Sequence, residues 1–463
     1  MTVRLIGSIR ISGVVYTPGV VFDWAPETEA AAVHEGWAEF VPIGRFGVEI
    51  FGPGVTYAAP TVTAGNSATI VSSGLVDVDG EQWLQVVATG ASGGGTGYME
   101  IRLAAQSAFT ADSLVAEFKT SSLSSLSNFV AYLGTTNFAV FATDTQSIGA
   151  PSTSDRHFGH QAYTWQAARF AKTGFSGALT DQAWTECKLR LTIAQSASVT
   201  VLLRSIRVGV AGAKGRLAIT FDDGYKSVAR LAMPILAQYG LKVSMGIIAD
   251  QVGNSNYMTT GDLARLVALG HECLPHGPIG GTGNLFENYA ADADRLTDMR
   301  YHRDWLMERG LSTPAAAACY VWPQGRFSDT AGDTTMLVAA QRAGFVLARA
   351  ATVYGEYPAI RAMSPGCLTR LTLPIIGHSY AGASNTADDA TETTNIAAIT
   401  TRITELGAAR TDGVLMLHEV VARGAASNEI HIEADRLRTL CAAIRTAIDA
   451  GSIENVLFSQ IAT

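Results

Sequence analysis

The chain has 463 residues, 48% of them hydrophobic and 16% charged, which excludes both a single small module and a disordered, charge-rich polymer. Lys and Arg number 33 against 41 Asp and Glu, a formal charge of -8 with no basic run. That balance argues against nucleic acid or an anionic membrane surface as the principal partner.

The amino terminus, Met1 to Gly7, lacks the basic segment and apolar core of a secretion signal, and no later stretch approaches the ~18 apolar residues of a membrane helix. A protein of this kind acting outside a cell is expected to leave by lysis or as part of a particle. Residues 1–45 read as a small β-rich unit. Val3, Leu5, Ile9 and Ile11 alternate, Thr17-Pro18-Gly19 marks a turn, a short helix is expected from Glu29 to His34, and Trp37 leads into Phe40-Val41. The order of these elements resembles short amino-terminal anchoring modules of bacteriophage tail and virion-associated proteins; an ordinary β-rich cap on the next domain is the competing reading.

Residues 46–212 carry short β-runs between Gly, Ser, Thr and Asn clusters, such as Gln82 to Val87, Leu114 to Phe118 and Leu189 to Ile193. This spacing predicts an antiparallel β-sandwich, jelly-roll-like. Its last run, Val199 to Val208, resembles the closing strands of carbohydrate-binding jelly rolls, while Trp83, Trp165 and Trp184 are read as core residues rather than sugar platforms.

After a hinge at Ala211 to Gly215, residues 213–463 alternate strand and helix. Strands are expected at Leu217 to Phe221, Val243 to Ile248, Glu272 to Leu274, Ala318 to Val321, Phe345 to Ala348, Val414 to Leu417 and Val456 to Ser459. Helices are expected at Ser227 to Tyr239, Gly261 to Leu269, Tyr289 to Arg309, Thr334 to Ala343, Asn395 to Ala408 and Ala434 to Ala450. About seven strand–helix units suggest a parallel barrel, complete or irregular. The five cysteines, Cys187, Cys273, Cys319, Cys367 and Cys441, contain no CxxC and are expected to be buried free thiols.

Polar residues gather where those strands end: Asp222 and Asp223, His276, Pro323-Gln324-Gly325, and His418. A parallel barrel aims the last side chain of each strand at one shared mouth, so the ordered set points to a site there. Taken singly, each has a structural reading as a turn or a hydrogen-bonded strand end. His271 is read as a structural contact, His302 as solvated beside Arg303, and His378 and His431 as loop residues. Glu419 is expected either to set the tautomer of His418 or to face solvent.

In this order, Thr220-Phe221-Asp222-Asp223-Gly224, Gly270-His271-Glu272 with His276, Trp322-Pro323-Gln324-Gly325 and Leu415-Met416-Leu417-His418 resemble the polysaccharide deacetylase (NodB-homology) family, carbohydrate esterase family four. The resemblance runs from about residue 214 to 463. It implies a distorted (β/α) barrel that removes acetyl groups from N- or O-acetylated sugars with a divalent metal, zinc by the family's habit. It makes Asp222 the general base, His418 the general acid, and Asp223 and His276 metal ligands. Trp322, Pro323, Gln324 and Gly325 would border the substrate and its oxyanion. Arg349, at the end of Phe345 to Ala348, is read either as a guanidinium that orients a carboxylate or as one side of a surface ion pair.

Two departures matter. The second histidine of the metal motif, four residues after His276, is Gly280, so a replacement ligand is sought at Asn284, Glu287 or another loop; the arginine two residues before the Pro-x-Gly element is Val321. The combined expectation is a phage tail or virion-associated enzyme deacetylating a bacterial surface polysaccharide, acting extracellularly. No heptad seam marks a homo-oligomer, although a fibre attachment is compatible with one. The rival readings are a glycan-binding receptor or decoration protein on a deacetylase scaffold, and a host cell-wall enzyme.

Overall fold

The computed structural model describes residues 213–328, 334–353, 368–378, 390–422 and 430–461. It also describes 48–209 apart from 53–59, 79–80, 94–95, 123–124, 148–162, 170 and 174–181, and the backbone of five strands in 1–47. These are β1 (Thr2–Leu5), β2 (Ile9–Ile11), β3 (Val14–Tyr16), β4 (Val21–Phe22) and β5 (Ala38–Val41), forming an antiparallel sheet in the order β4-β1-β5 and a β2-β3 hairpin. The helix expected from Glu29 to His34, Cys367, and the side chains of Trp165 and His378 lie outside the described residues.

The next region is a sandwich of antiparallel sheets built from β6 (Val48–Phe51), β7 (Thr61–Gly65), β8 (Thr69–Val78), β9 (Glu81–Thr89), β10 (Gly97–Phe109), β11 (Ser113–Thr120), β12 (Leu126–Gly134), β13 (Phe141–Ser147), β14 (Tyr163–Arg169), β15 (Ala171–Thr173), β16 (Trp184–Ile193) and β17 (Ser198–Gly209). One sheet has the order β15-β13-β12-β16-β10-β7. The other runs β14-β11-β17-β9-β8, with β6 also on β17. Alternate residues point inward, as Met99, Ile101 and Leu103 do on β10 and Leu189 and Leu191 on β16, and the two inner faces share one core. Trp184 is buried there and donates its Nε1–H to the Ala111 carbonyl at 3.1 Å. Trp83 is buried too, in a second cluster with Tyr320, Trp322, Phe327 and Phe345, so the outer face of the second sheet rests against the carboxyl-terminal region.

That region is a curled, all-parallel sheet: β18 (Gly215–Phe221), β19 (Ser244–Ile248), β20 (Glu272–His276), β21 (Cys319–Val321), β22 (Leu347–Val353), β23 (Leu373–Ile375), β24 (Gly377–His378), β25 (Asp412–Leu417) and β28 (Ile453–Val456), with β26 (Glu419–Val421) and β27 (His431–Glu433) paired beside it. The order is β23-β22-β21-β20-β19-β18-β25-β24, with β28 also on β18. One extended segment makes both edges. Its first half, β23, bonds to β22, and after Ile376 its second half, β24, bonds to β25, which draws the sheet into a barrel. Every residue of β18 is buried, the continuous apolar run of a strand covered on both faces. At the amino ends of the strands Arg216 grips Asp412 through Nε and Nη2 at 2.7 and 2.9 Å and donates to the Gln460 and Ile461 carbonyls, closing the floor.

Several elements differ from expectation. Val456 to Ser459 is not a strand: the strand is Ile453–Val456, and Phe458–Ile461 turns into a helix whose amino end is tied to Ser244 and Glu272. His431 lies in β27 rather than a loop and is buried, and the backbone of His378 lies in β24, paired with Met416, rather than in a loop. Of the cysteines, Cys187, Cys273, Cys319 and Cys441 are buried and free.

Candidate active site

The parallel register sets the site. Phe221 pairs with Leu417, so Asp222 and His418 emerge side by side; Ile248 pairs with His276 and His276 with Val321 at the same level. After β18 the chain turns through two left-handed residues, Asp223 (φ 68°) and Gly224 (φ 80°). Asp is among the few non-glycine residues that tolerate this conformation, which lets two adjacent carboxylates project into one mouth.

Asp222 is buried. Nη2 of Arg349 donates to Oδ1 of Asp222 at 2.5 Å and contacts Oδ2 as well, and Arg349 is itself fully buried. Arg349 lies opposite Val321 in the β21-β22 register, so the guanidinium stands one strand over from the position that carries arginine in the resembling family. On the other side of Asp222, His418 Nε2 is 3.6 Å from Oδ2.

Asp223 Oδ1 is 3.1 Å from His276 Nε2, while His276 Nδ1 is 2.8 Å from the Val321 carbonyl oxygen. A carbonyl only accepts, so Nδ1 carries the hydrogen. In the neutral ring the Nε2 lone pair then faces a carboxylate oxygen, an arrangement that calls for a cation between them or a proton on the ring. Burial works to raise the Asp223 carboxyl, but the His276 contact and the nearby His418 and Arg349 outweigh it and hold it below the usual carboxylate range. The reverse balance lifts His276: burial lowers it, and Asp223 and Asp222 together raise it further.

The loop after His276 explains the missing histidine in backbone terms. Gly280 has φ 91° and donates its N–H to Asp250 Oδ2 at 2.7 Å, and a Cβ there would meet nothing within 4 Å. Space is available; the conformation is what excludes a side chain. The neighbouring Ile279 N–H is held by Asp298 Oδ2 at 2.8 Å. Neither replacement ligand converges on Asp223. Asn284 caps the helix Leu285–Asn288 with its oxygen and donates its amide to Gln324 Oε1 at 3.0 Å, and Glu287 faces Arg326 at 3.6 Å. Among the described residues no three His, Cys, Asp or Glu side chains form a metal-holding group.

The Pro-x-Gly element divides. Trp322, expected at the substrate, is a correction: its ring is buried against Tyr320 and Phe327, and Nε1 donates to the Leu371 carbonyl at 2.6 Å. Strand alternation sends this side chain to the core. Pro323 is buried, Gln324 is exposed with φ 53°, and Gly325 (φ 69°) is fixed because a Cβ would lie 2.2 Å from the Ala351 nitrogen.

Two other polar residues differ from expectation. Glu419 faces His431 Nε2 at 3.3 Å rather than His418. His302 is fully buried: Nδ1 accepts the Ala249 N–H at 3.0 Å, and Nε2 lies 3.3 Å from Asp298 Oδ1. The charged sequence around it hides a helix face turned to the loop under the site. His271 Nδ1 accepts the Val243 N–H at 3.2 Å, a structural contact as expected. Sequence reading missed Tyr225 and Tyr257, a stacked pair (5.3 Å, 16°) at the rim; burial first, then the Asp223 charge, raises both phenols. Their one signal is Tyr225 directly after Asp-Asp-Gly.

Residues 209–345 match the family model described as polysaccharide deacetylase. The Bacillus subtilis (strain 168) protein YxkH, whose name places it provisionally among polysaccharide deacetylases, is 27% identical over 90 residues, which is 18% of this chain and 32% of that relative. The chain thus spans about a third of the length of this curated relative. Among solved structures, a family 4 carbohydrate esterase from Streptomyces lividans in complex with acetate is similar at 14% identity, covering 53% of this chain and 94% of that one, with a TM-score of 0.31. A polysaccharide deacetylase from Bacillus cereus is similar at 14% identity, covering 52% and 90%, with a TM-score of 0.33. The family model and the curated relative support a polysaccharide deacetylase domain in the carboxyl-terminal half.

Proposed function

We propose that the barrel hydrolyses acetyl groups from a bacterial surface polysaccharide. The observation that carries this reading is the position of Asp222, with the Arg349 guanidinium on one side, His418 3.6 Å away on the other, and the Asp223–His276 pair beside it. At 3.6 Å the Asp222 carboxylate and the His418 ring stand next to each other in one mouth, so a proton acceptor and a proton donor can both reach an acetyl carbon seated above them. Asp222 would take the proton of the attacking water, Arg349 would hold its carboxylate in orientation, and His418 would return a proton to the departing amine or alcohol. Backbone near Gln324 would face the developing oxyanion.

The lone pairs of Asp223 and His276 fit one face of a divalent cation, zinc by the family resemblance, and these two residues would hold it. Such an ion supplies Lewis acidity toward water and the acetyl carbonyl. The test is acetate release from acetylated polysaccharide and from an acetylated oligosaccharide. Absence of release from both, in protein carrying a stoichiometric metal, would refute the reading.

A second reading keeps the polysaccharide and drops the reaction: a glycan-binding receptor on this scaffold. The observation favouring it is Gly280, which leaves the cation with two protein ligands among the described residues. Retention of acetylated polymer without acetate release would select it. We further propose attachment to a phage particle, supported by the element order of residues 1–45; recovery of the protein from purified virions tests that.

A further inference from the structure

The sandwich has two outer faces, and they differ. That of the β14-β11-β17-β9-β8 sheet is covered by the barrel through Trp83. That of the other sheet carries an alternating row of rings and cations contributed by β10, β16, β12 and the turn Thr136–Phe138. The Arg190 guanidinium lies 4.2 Å from the centroid of Tyr98 and 5.6 Å from that of Tyr132; Lys188 Nζ lies 4.2 Å from Tyr132 and 5.1 Å from Phe138; Arg102 lies 5.3 Å from Phe138. The three rings are half-buried.

Three features show that this row is built. Tyr98 is opposite Gly65 in the β10-β7 register, where a Cβ would lie 2.1 Å from the ring, and a Cβ on Gly134 would lie 2.3 Å from the Phe138 ring. Both rings rest on the sheet where the sequence leaves a side chain out. Asn137 and Phe138 have φ 58° and 53°, and an aromatic residue in the left-handed region is a backbone outlier of the kind held for position. The cations are fixed as well: Arg190 and Lys188 reach Glu100 at 2.6 and 3.2 Å, and Arg102 reaches Glu186 at 2.7 Å.

The charges on the face are thus largely cancelled in place, and a polyanion gains little from it. Tyr132 meets Phe138 edge-on and Phe141 at a tilt, with centroids 6.3 Å apart in each pair, and Arg102, Lys188 and Arg190 lie over this small group and Tyr98, so the apolar surface offered to a protein partner is small and broken by charge. What matches a rigid, nearly neutral strip of rings and charged hydrogen-bonding groups is an uncharged polyhydroxylated chain, whose C–H faces stack on rings and whose hydroxyls bond the ion pairs.

We propose that this face, through Tyr98, Tyr132, Phe138 and the paired Arg102, Lys188 and Arg190, binds a neutral acetylated polysaccharide and holds the polymer for the barrel. The identity of that polymer rests on the proposed function; the binding face does not.

Native affinity electrophoresis in gels containing glycol chitin or acetylated xylan tests this, with Tyr132→Ala and Phe138→Ala compared with Asp222→Asn. Phe138 lies on a turn outside the strands, so its truncation spares the sheet pairing. The expected result is retardation of the parent and of Asp222→Asn by at least one polymer, and, in both ring variants, retardation weakened more than tenfold with acetate release from an acetylated trisaccharide unchanged from the parent. Equal retardation of parent and ring variants overturns the proposal, as does no retardation of the parent by either polymer. Concentration-dependent self-association abolished by the ring variants, without retardation, reassigns the face to a second copy and also overturns it. A parent that is retarded by polymer yet releases no acetate from the trisaccharide leaves this site standing and removes the barrel reading instead.

Discussion

Nη2 of Arg349 reaches both carboxylate oxygens of Asp222, joining residues 127 apart in the chain. Three strands, β19, β20 and β21, stand between their parent strands in the sheet, so the pair spans the barrel mouth rather than a strand junction. Arg349 is fully buried, and the charge on Asp222 is therefore matched inside the fold before any substrate arrives. The carboxylate that the reaction would use is thereby also a tie between two sides of the barrel.

Asp222→Asn removes the proton acceptor and keeps the shape. Acetate release should fall on the order of 10² to 10⁴-fold, the usual worth of a positioned acid or base. Circular dichroism should be unchanged, while stability should fall by up to about 3 to 5 kcal/mol because the buried Arg349 loses its anion, the asparagine oxygen still accepting one of its hydrogens. Unchanged turnover would remove Asp222 as the base.

Arg349→Met tests the clamp. Breaking a buried pair from one side leaves an uncompensated charge and costs about 3 to 5 kcal/mol. Denaturant midpoints should drop accordingly, and acetate release should fall with them. The double variant Asp222→Asn with Arg349→Met should recover part of the stability and none of the activity; additive losses in the two single variants would mean that the residues act independently.

What the sequence disclosed follows from how strands end. Asp222, His276 and His418 each follow an apolar run, and a parallel barrel brings such positions to one rim, which register confirms as geometry. Arg349 was readable as a strand-end cation, but its partner lies four strands away in sheet order, and no spacing encodes that. Trp322 looked like a substrate wall because it abuts the Pro-x-Gly turn; only the pleat of β21 shows that its ring turns to the core. The seam Leu373 to His378 is too short for any periodicity, and it changes partner at Ile376. His302 sits among charged neighbours and is still buried, since its helix lays that face on the Ala249 turn.

A cation held by Asp223 and His276 alone would be lost readily. Equilibrium dialysis against excess zinc, read by mass spectrometry of metal content, should show about one equivalent on the parent and none on His276→Ala. Gly280→His should not strengthen binding. Its φ of 91° is strained for any residue with a side chain, a cost of order 1 to 3 kcal/mol, and the Asp250 bond to its N–H fixes the loop. A tenfold gain in zinc affinity in that variant would show that the loop relaxes and that the missing side chain alone had weakened the site.

His271 sets an acid limit on stability away from the site. Burial first, and then the Lys242 charge, push its pKa from the ordinary 6.5 down to about 4, and in the folded chain the unprotonated Nδ1 accepts the Val243 N–H. Between those values the unfolded chain takes up a proton that the folded chain does not. The stabilisation is complete above about pH 6.5 and is lost as pH falls toward 4, a change on the order of 1 to 2 kcal/mol after solvent screening is allowed for. Urea unfolding at a series of pH values should show this slope. His271→Asn, whose side-chain oxygen can accept the same N–H without titrating, should flatten it; an equal slope in that variant would place the acid sensitivity in another group.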